Sequence, residues 1–140
     1  MGSFAAQVKA WGEKAKRNTT LVFRESVQSL ARDLTYNTPL VTSNLRRSLM
    51  SSTVAMPTVK DGSFLGSDTS GQTEFTIAGL EIGDTFWLGF QAKYARRVNY
   101  GFTGADSLGR NYNQSGQFFV EATAAKWQSF VNAAVARVNA

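Results

Sequence analysis

Residues 4–35 read FAAQVKAWGEKAKRNTTLVFRESVQSLARDLT, and the order of their apolar side chains decides the architecture. Phe4, Val8, Trp11 and Ala15, then Phe23, Val27, Leu30 and Leu34, recur in the rhythm that gathers side chains on one face of an α-helix. The polar patch at Asn18–Thr20 lowers the hydrophobicity and keeps the phase, because Thr19 lies midway between Ala15 and Phe23. One long helix over about 4–35 follows, N-capped by Ser3, with Gly12 and Asn18 as the places where it would kink or break. Asn37-Thr38-Pro39 ends it, since the residue before a proline is pushed out of the helical region.

Past Pro39, residues Val41 to Leu49 combine a capping signal with one or two turns of helix, in which Leu45 is the large apolar residue. Leu49 to Met56 reads as strand, and Pro57 to Gln72, punctuated by Pro, Gly and Asp, as a loose hairpin or loop. Glu74–Ala78 and Thr85–Phe90 are aromatic and β-branched runs around Gly83-Asp84, a β-hairpin pattern. Residues 93–100 form a short helix stopped by Gly101. Gly101 to Gly116 contains four glycines and no periodicity, so it reads as a long loop, which in a compact domain is functional or disordered. Val120, Ala124, Trp127, Val131, Ala134 and Val138 then mark a C-terminal amphipathic helix over about 118–138. The expected fold is α+β: one domain over 1–140, with a small, mostly antiparallel β-sheet packed against the long N-terminal and the C-terminal helices.

Composition narrows the chemistry. The 140 residues are 43% hydrophobic and 18% charged, as in an ordinary globular domain. With Cys 0 and His 0, disulfides, Cys/His zinc sites, thiol nucleophiles and His-based triads are excluded, which leaves only Asp, Glu, Lys, Ser or Tyr for catalysis. The net charge of +5 permits contact with nucleic acid or an acidic surface, but the cations are scattered, with no run longer than a pair. Lys9, Lys14, Lys16 and Arg17 break any leader-like apolar stretch, and no window approaches a membrane span, so a soluble chain with no membrane contact is expected.

Four constellations invite a functional reading. Gly104 to Asn111 has the glycine spacing of a phosphate-binding loop, with Arg110 and Asn111 where the mechanism needs Lys and Ser/Thr, so it reads as a loop. Glu81 and Asp84 flank Gly83 as solvated turn carboxylates. Lys93, Arg96 and Arg97 alternate with Tyr94 and Tyr100, a basic and aromatic mixture suited either to nucleic acid or to packing. Phe118, Phe119, Trp127 and Phe130 form an aromatic-rich helix face and Phe4 and Trp11 another, for which core packing is the default; Phe119 and Phe130 lie beside the main stripe, which suits burial against another subunit.

Three segments in order carry a family resemblance: the basic opening Phe4-Ala-Ala-Gln-Val-Lys-Ala-Trp11, then Thr38-Pro39-Leu-Val-Thr42-Ser-Asn44-Leu45-Arg46-Arg47-Ser48, then Tyr94-Ala95-Arg96-Arg97-Val98-Asn99-Tyr100-Gly101 before an amphipathic helix. This resembles the neck and tail-completion (head-tail connector) proteins of tailed bacteriophages, whose signatures are Thr-Pro-x-x-Thr-Gly-x-Leu-Arg-x-Ser-like and Tyr-Ala-x-x-x-Glu-x-Gly-like stretches. Ser43 replaces the common Gly, and Asn99 stands where Glu is frequent, so a salt bridge from that Glu is absent. The resemblance implies a structural virion protein without enzymatic activity, cofactor or metal, made in the host cytoplasm. Its copies would form a ring at the head-tail junction that completes or terminates the tail or joins it to the head. Partners would be further copies and other neck, connector and tail subunits, with nonspecific DNA contact. Thr38, Pro39, Thr42, Asn44, Leu45, Arg46, Tyr94, Ala95, Tyr100 and Gly101 would be structural: Thr38-Pro39 ending the long helix, Thr42 or Ser43 capping the short one, and Tyr94-Ala95 with Tyr100-Gly101 fixing a helix and its last turn on the sheet. Phe102, Leu108, Tyr112, Phe119 and Phe130 are the candidate subunit-interface residues, with the glycine-rich stretch mobile in the monomer and ordered on assembly. The alternative is a small basic nucleic-acid-binding module. Neither reading provides for a nucleotide or metal, and equilibrium dialysis is expected to find neither retained in stoichiometric amount.

Overall fold

In the computed structural model, which describes residues 3–39, 44–64, 70–105 and 108–139 with backbone alone at Ser70, Tyr112 and Gln114, the long helix α1 runs unbroken over Phe4–Asn37. The Ser3 hydroxyl accepts from the Ala6 amide at 3.1 Å and caps it. Neither Gly12 nor Asn18 breaks it. The polar patch is absorbed because Thr19 and Thr20 donate their hydroxyls back to the carbonyls of Ala15 and Lys16. At the other end Thr38 turns to ψ 125°, as Pro39 requires, while its amide and hydroxyl both bond the Leu34 carbonyl at 3.0 and 2.6 Å. A one-turn helix, α2 (Asn44–Arg47), brings Arg46 over this terminus, where it donates to the carbonyls of Tyr36 and Thr38 at 3.2 and 3.3 Å, placing a cation at the negative end of the helix dipole.

Strand β1 (Leu49–Ser52) pairs antiparallel with β2 (Trp87–Phe90), Leu49 opposite Phe90. Between them lies a departure from the sequence reading: the expected hairpin around Gly83-Asp84 does not form, because Ser70–Ala78 is a helix, α3. Thr73 and Ile77, one helical turn apart, are its buried residues, with Leu80 buried just past its end, and a helix lets Gln72 occupy the free edge of β1. The Gln72 carboxamide accepts from the Ser51 amide at 3.2 Å and donates to the Ser51 carbonyl at 2.8 Å, standing in for a neighbouring strand. The turn at Gly83 (φ +100°) is real, but it joins helix to strand. Before α3, residues 57–64 are irregular, with one parallel bridge between Lys60 and Ala92, so the loop expected over 57–72 ends earlier than the sequence suggests.

Helix α4 (Ala95–Tyr100) ends at Gly101 (φ 86°), as the sequence predicts. The glycine-rich stretch that follows is a second correction. It is a β-hairpin, β3 (Gly101–Ala105) against β4 (Asn111–Ser115), with Gly101 opposite Ser115. The alternation is hidden in sequence because Gly and Asn occupy ladder positions, and Gly104 and Gly109 hold positive φ of 144° and 78°. The C-terminal helix is divided into α5 (Phe119–Ala124) and α6 (Trp127–Val138). α6 runs antiparallel to α1, since Lys126 pairs with Asp33 and Arg137 with Glu25. The fold is thus α+β, with a long N-terminal helix, a C-terminal helix and small antiparallel sheets.

Two apolar clusters hold it together. Leu34, Leu45, Leu49, Phe64, Ala92 and Phe119 form one, and Val27, Ala31, Ile77 and Leu80 the other, with Leu88 packed against both. Leu45, buried in the first, anchors α2 as the sequence predicts. Leu45→Ala is expected to cost about 2–5 kcal/mol in chemical denaturation, the usual range for a buried leucine cavity.

Candidate interaction surface

Of the residues carried by the resemblance, Thr38, Asn44, Leu45, Arg46, Tyr94 and Ala95 come together at one corner, while Tyr100 and Gly101 end α4 beside Phe118 and Phe4 to Trp11 lie apart on the exposed start of α1. Asn44 Oδ1 accepts from the Phe64 amide at 2.6 Å, and its Nδ2 donates to the Tyr94 hydroxyl at 2.9 Å, so the second and third sequence segments touch directly. Thr38 is buried, Pro39 half-buried, and Ala95 packs against the cluster that holds Leu45. The capping role expected of Thr42 or Ser43 falls on positions outside the described residues.

A second junction, which sequence reasoning missed, centres on Asn99. This side chain is only 3% exposed, and every polar atom it carries is engaged. Its Nδ2 donates to Glu121 Oε2 at 2.8 Å, its Oδ1 accepts from the Val120 amide at 3.1 Å, and its carbonyl accepts from the Phe118 amide at 2.8 Å. The Gln117 amide bonds the Val98 carbonyl alongside, so the last carbonyls of α4 are satisfied by the chain returning from the hairpin. Because Phe118 at the start of α5 supplies no side-chain cap, Asn99 caps that helix from outside. Gly116 is required here, since a Cβ would lie 2.6 Å from the Asn99 carbonyl oxygen. Phe118 sits in the left-handed region (φ 50°), and its ring meets Tyr100 edge-on at 6.2 Å. The Asn99 amide and then the Tyr100 hydroxyl hold the Glu121 carboxyl below its ordinary value, and Glu121 in turn raises the Tyr100 phenol. The one sequence signal was the departure at Asn99 from a Glu-like pattern.

Asp33 fastens α1 to the break between α5 and α6. It accepts from Thr123 Oγ1 at 2.9 Å, from Asn37 Nδ2 at 3.0 Å and from Lys126 Nζ at 3.2 Å. Partial burial raises its pKa, but the bonds from Thr123 and Lys126, the Lys126 charge and the Asn37 amide together outweigh it and hold the carboxyl below its ordinary value.

The candidate interface residues separate. Phe119 is 4% exposed and edge-on to Phe90 at 5.5 Å, so it belongs to the core of its own chain. Its place beside the stripe misleads because Phe119 belongs to α5, a helix separate from the α6 that carries Phe130. Phe130 is half-buried. Phe102 is half-buried under the Arg97 guanidinium at 4.0 Å, and Leu108 is exposed at the hairpin tip. The Tyr112 backbone lies in β4, and its side chain is outside the described residues. Arg96 lies 5.9 Å from the Tyr100 ring, so both arginines of the basic patch meet aromatic rings of their own chain. Glu81 and Asp84 bond across their own turn, the Glu81 amide to Asp84 Oδ2 at 2.9 Å. Among the described residues no cluster of three or more metal-ligating side chains occurs, and no helix is long and apolar enough to cross a membrane.

The exposed apolar surface lies elsewhere. Phe4 is 81% exposed and Trp11 72%, although their stripe reads as core in sequence. The reason is length: α6, with 12 residues, covers only the second half of α1, with 34. The turns of α1 before Glu13, about two and a half, therefore project beyond the body, and Glu13, Lys16 and Arg17 at their base line a groove with Glu81 and Ile82. At the root Arg24 bonds the Leu80 carbonyl at 2.6 Å, beside this groove, which measures about 510 Å³ and is also lined by Leu21. Phe75, on the outer face of α3, is 83% exposed.

Comparison of the chain with models of known protein families, with curated proteins and with solved structures finds no match.

Two side chains give direct tests of the junctions. Asn99→Ala leaves the Val120 amide without its acceptor and is expected to cost about 1–3 kcal/mol by urea denaturation, whereas Asn99→Asp sets a second carboxylate against Glu121, so its defect should shrink on acidification as one of the two takes up a proton. For Asp33 the folded pKa is depressed, so its contribution is complete above the unfolded value near 3.8 and is lost as pH falls through the lower folded value. Asp33→Asn is therefore expected to be less stable than the parent at neutral pH, with the gap closing in acid.

Proposed function

We propose that this chain is a structural virion protein of a tailed bacteriophage without enzymatic activity, set at the head-tail junction, whose copies form a ring that completes or terminates the tail or joins it to the head. The observation that carries this reading is the apolar surface one copy leaves in water: Phe4 and Trp11 on the projecting turns, Phe75 on α3, Leu108 at the hairpin tip. Surface of this kind suits a subunit that finishes burying itself on assembly. The resemblance in the second and third segments adds support, because Asn44 and Tyr94, one from each, meet directly in the fold. A contact between two different faces repeats from copy to copy and closes into a ring when the rotation allows, each interface burying about 1,600 Å² in the standard case.

Sedimentation velocity and native mass measurement on the purified chain, alone and with tail-tube or connector subunits, test this reading. One closed oligomer, alone or on addition of those subunits, is the expected result, and a monomer under both conditions overturns it. The second reading, a basic nucleic-acid-binding module, is favoured by Lys9, Lys14, Lys16 and Arg17 on the projecting turns of α1 and at their base. Under the structural reading, binding to a short duplex is weak and mostly lost between low and physiological salt through counterion release; sequence-selective, salt-tolerant binding promotes the second.

A further inference from the structure

We infer that the first turns of α1, from Phe4 to about Gly12, are an assembly arm that packs on the outer face of α3 in a second copy of this chain. Starting a helix is the costly step, and here it is taken by the packed half of α1, so the arm extends a formed helix and needs no partner to be helical. It then holds Phe4, Val8 and Trp11 in a row on one face, 81%, 50% and 72% exposed. A stripe at this spacing is how a helix presents itself to a groove or to another helix.

Charge selects the acceptor. The arm and its base carry Lys9, Lys14, Lys16 and Arg17 against Glu13 alone, Lys9 and Lys14 lying outside the groove that holds the other three. Residues 61–92 show the opposite bias, with Asp61, Asp68, Glu74, Glu81 and Asp84 and no Lys or Arg. Asp61 is paired within its own copy to Lys93. Glu74 lies next to Phe75 on α3 and Asp84 on the turn that follows, whereas Glu81 and Ile82 line a groove with Glu13, Lys16 and Arg17 of their own α1. Phe75 is a knob among small residues, with Gly71 one helical turn before it and Ala78 and Gly79 one turn after, which lets a second helix come close. The opposite side of α3, with Ile77, is taken by α1 of the same copy, so among the described residues the Phe75 face is the one left to receive an arm. Opposite charge on arm and face steers the encounter and fixes its direction.

Arm and face are different surfaces, so every copy offers one of each, and the contact propagates from copy to copy. The inference deepens the ring reading and rests on its homo-oligomeric part.

Two variants test it: an arm variant, Phe4→Ser with Trp11→Ser, and a face variant, Glu74→Lys with Phe75→Ser. All four side chains are exposed, so unchanged circular dichroism and melting are expected in both. In sedimentation velocity each variant alone should lose self-association by at least about tenfold, as loss of central aromatic anchors does, and the parent's association should weaken with salt. Mixed one to one, the variants should form a dimer and nothing larger, since each keeps the half that the other lacks. If the parent assembles and either variant assembles equally well, or the mixture yields no dimer, this contact is wrong and the ring reading stands. A parent that is monomeric alone at every attainable concentration overturns the contact, and one that stays monomeric with tail-tube or connector subunits as well overturns the homo-oligomeric reading too. If the arm variant assembles normally but loses binding to anionic vesicles or to DNA, the arm serves a lipid or nucleic-acid surface and the inference fails.

Discussion

A carboxamide removed from water must find partners within the protein, and at Asn99 those partners belong to a segment that has travelled out along one hairpin strand and back along the other. For the Phe118 and Val120 amides to reach Asn99, the chain leaving α4 has to return to its own starting point, which favours pairing β3 with β4 in register. Gly116 is the residue that can pass so close. Once α5 begins where Asn99 caps it, Phe119 falls into the cluster with Leu34 and Leu45, and α6 is delivered to the flank of α1. Much of the C-terminal half of the fold is in this sense downstream of one side chain.

The other fastenings act on α1 and are polar too. Arg46 covers its terminal carbonyls, Thr38 closes its last turn, and Asp33 collects three donors from α1, α5 and the start of α6. Each joins elements whose apolar contacts alone would tolerate sliding, since a helix packed through Val27, Ala31 and Leu34 has no sharp register of its own. The apolar clusters give cohesion, and the polar groups give alignment.

What was readable in the sequence follows the length of each signal. Thirty-four residues in one phase announce a helix without ambiguity, and the break before Pro39 is local chemistry. Ser70–Ala78 offered only nine residues, rich in types that favour strands, and tertiary contacts through Ile77 and Gln72 decided it otherwise. The hairpin was hidden by glycines and asparagines in its ladder. Periodicity told which face of α1 is apolar and could not tell what covers it, so Phe4 and Trp11 were assigned to a core that α6 is too short to provide. Leu45 was legible because a single large apolar residue in a one-turn helix has few alternatives. Asn99 was not, because burial of a polar side chain depends on elements far away in sequence.

The unbroken length of α1 also makes it a mechanical element. Between Trp11 and Val27, the first residue of α1 in a buried apolar cluster, the helix measures about 24 Å, so a tilt of about 5° at the root moves Trp11 by about 2 Å. The root is stiff, clamped by Val27 and Ala31 on one side and by the Arg24 bond to Leu80 on another. Compliance is therefore concentrated further out, at Gly12, where no neighbour lies within 4 Å of the missing side chain and the backbone resists bending least. Any load placed on the tip can be taken up first by flexure at that glycine, before torque reaches the two clusters on which the body is built.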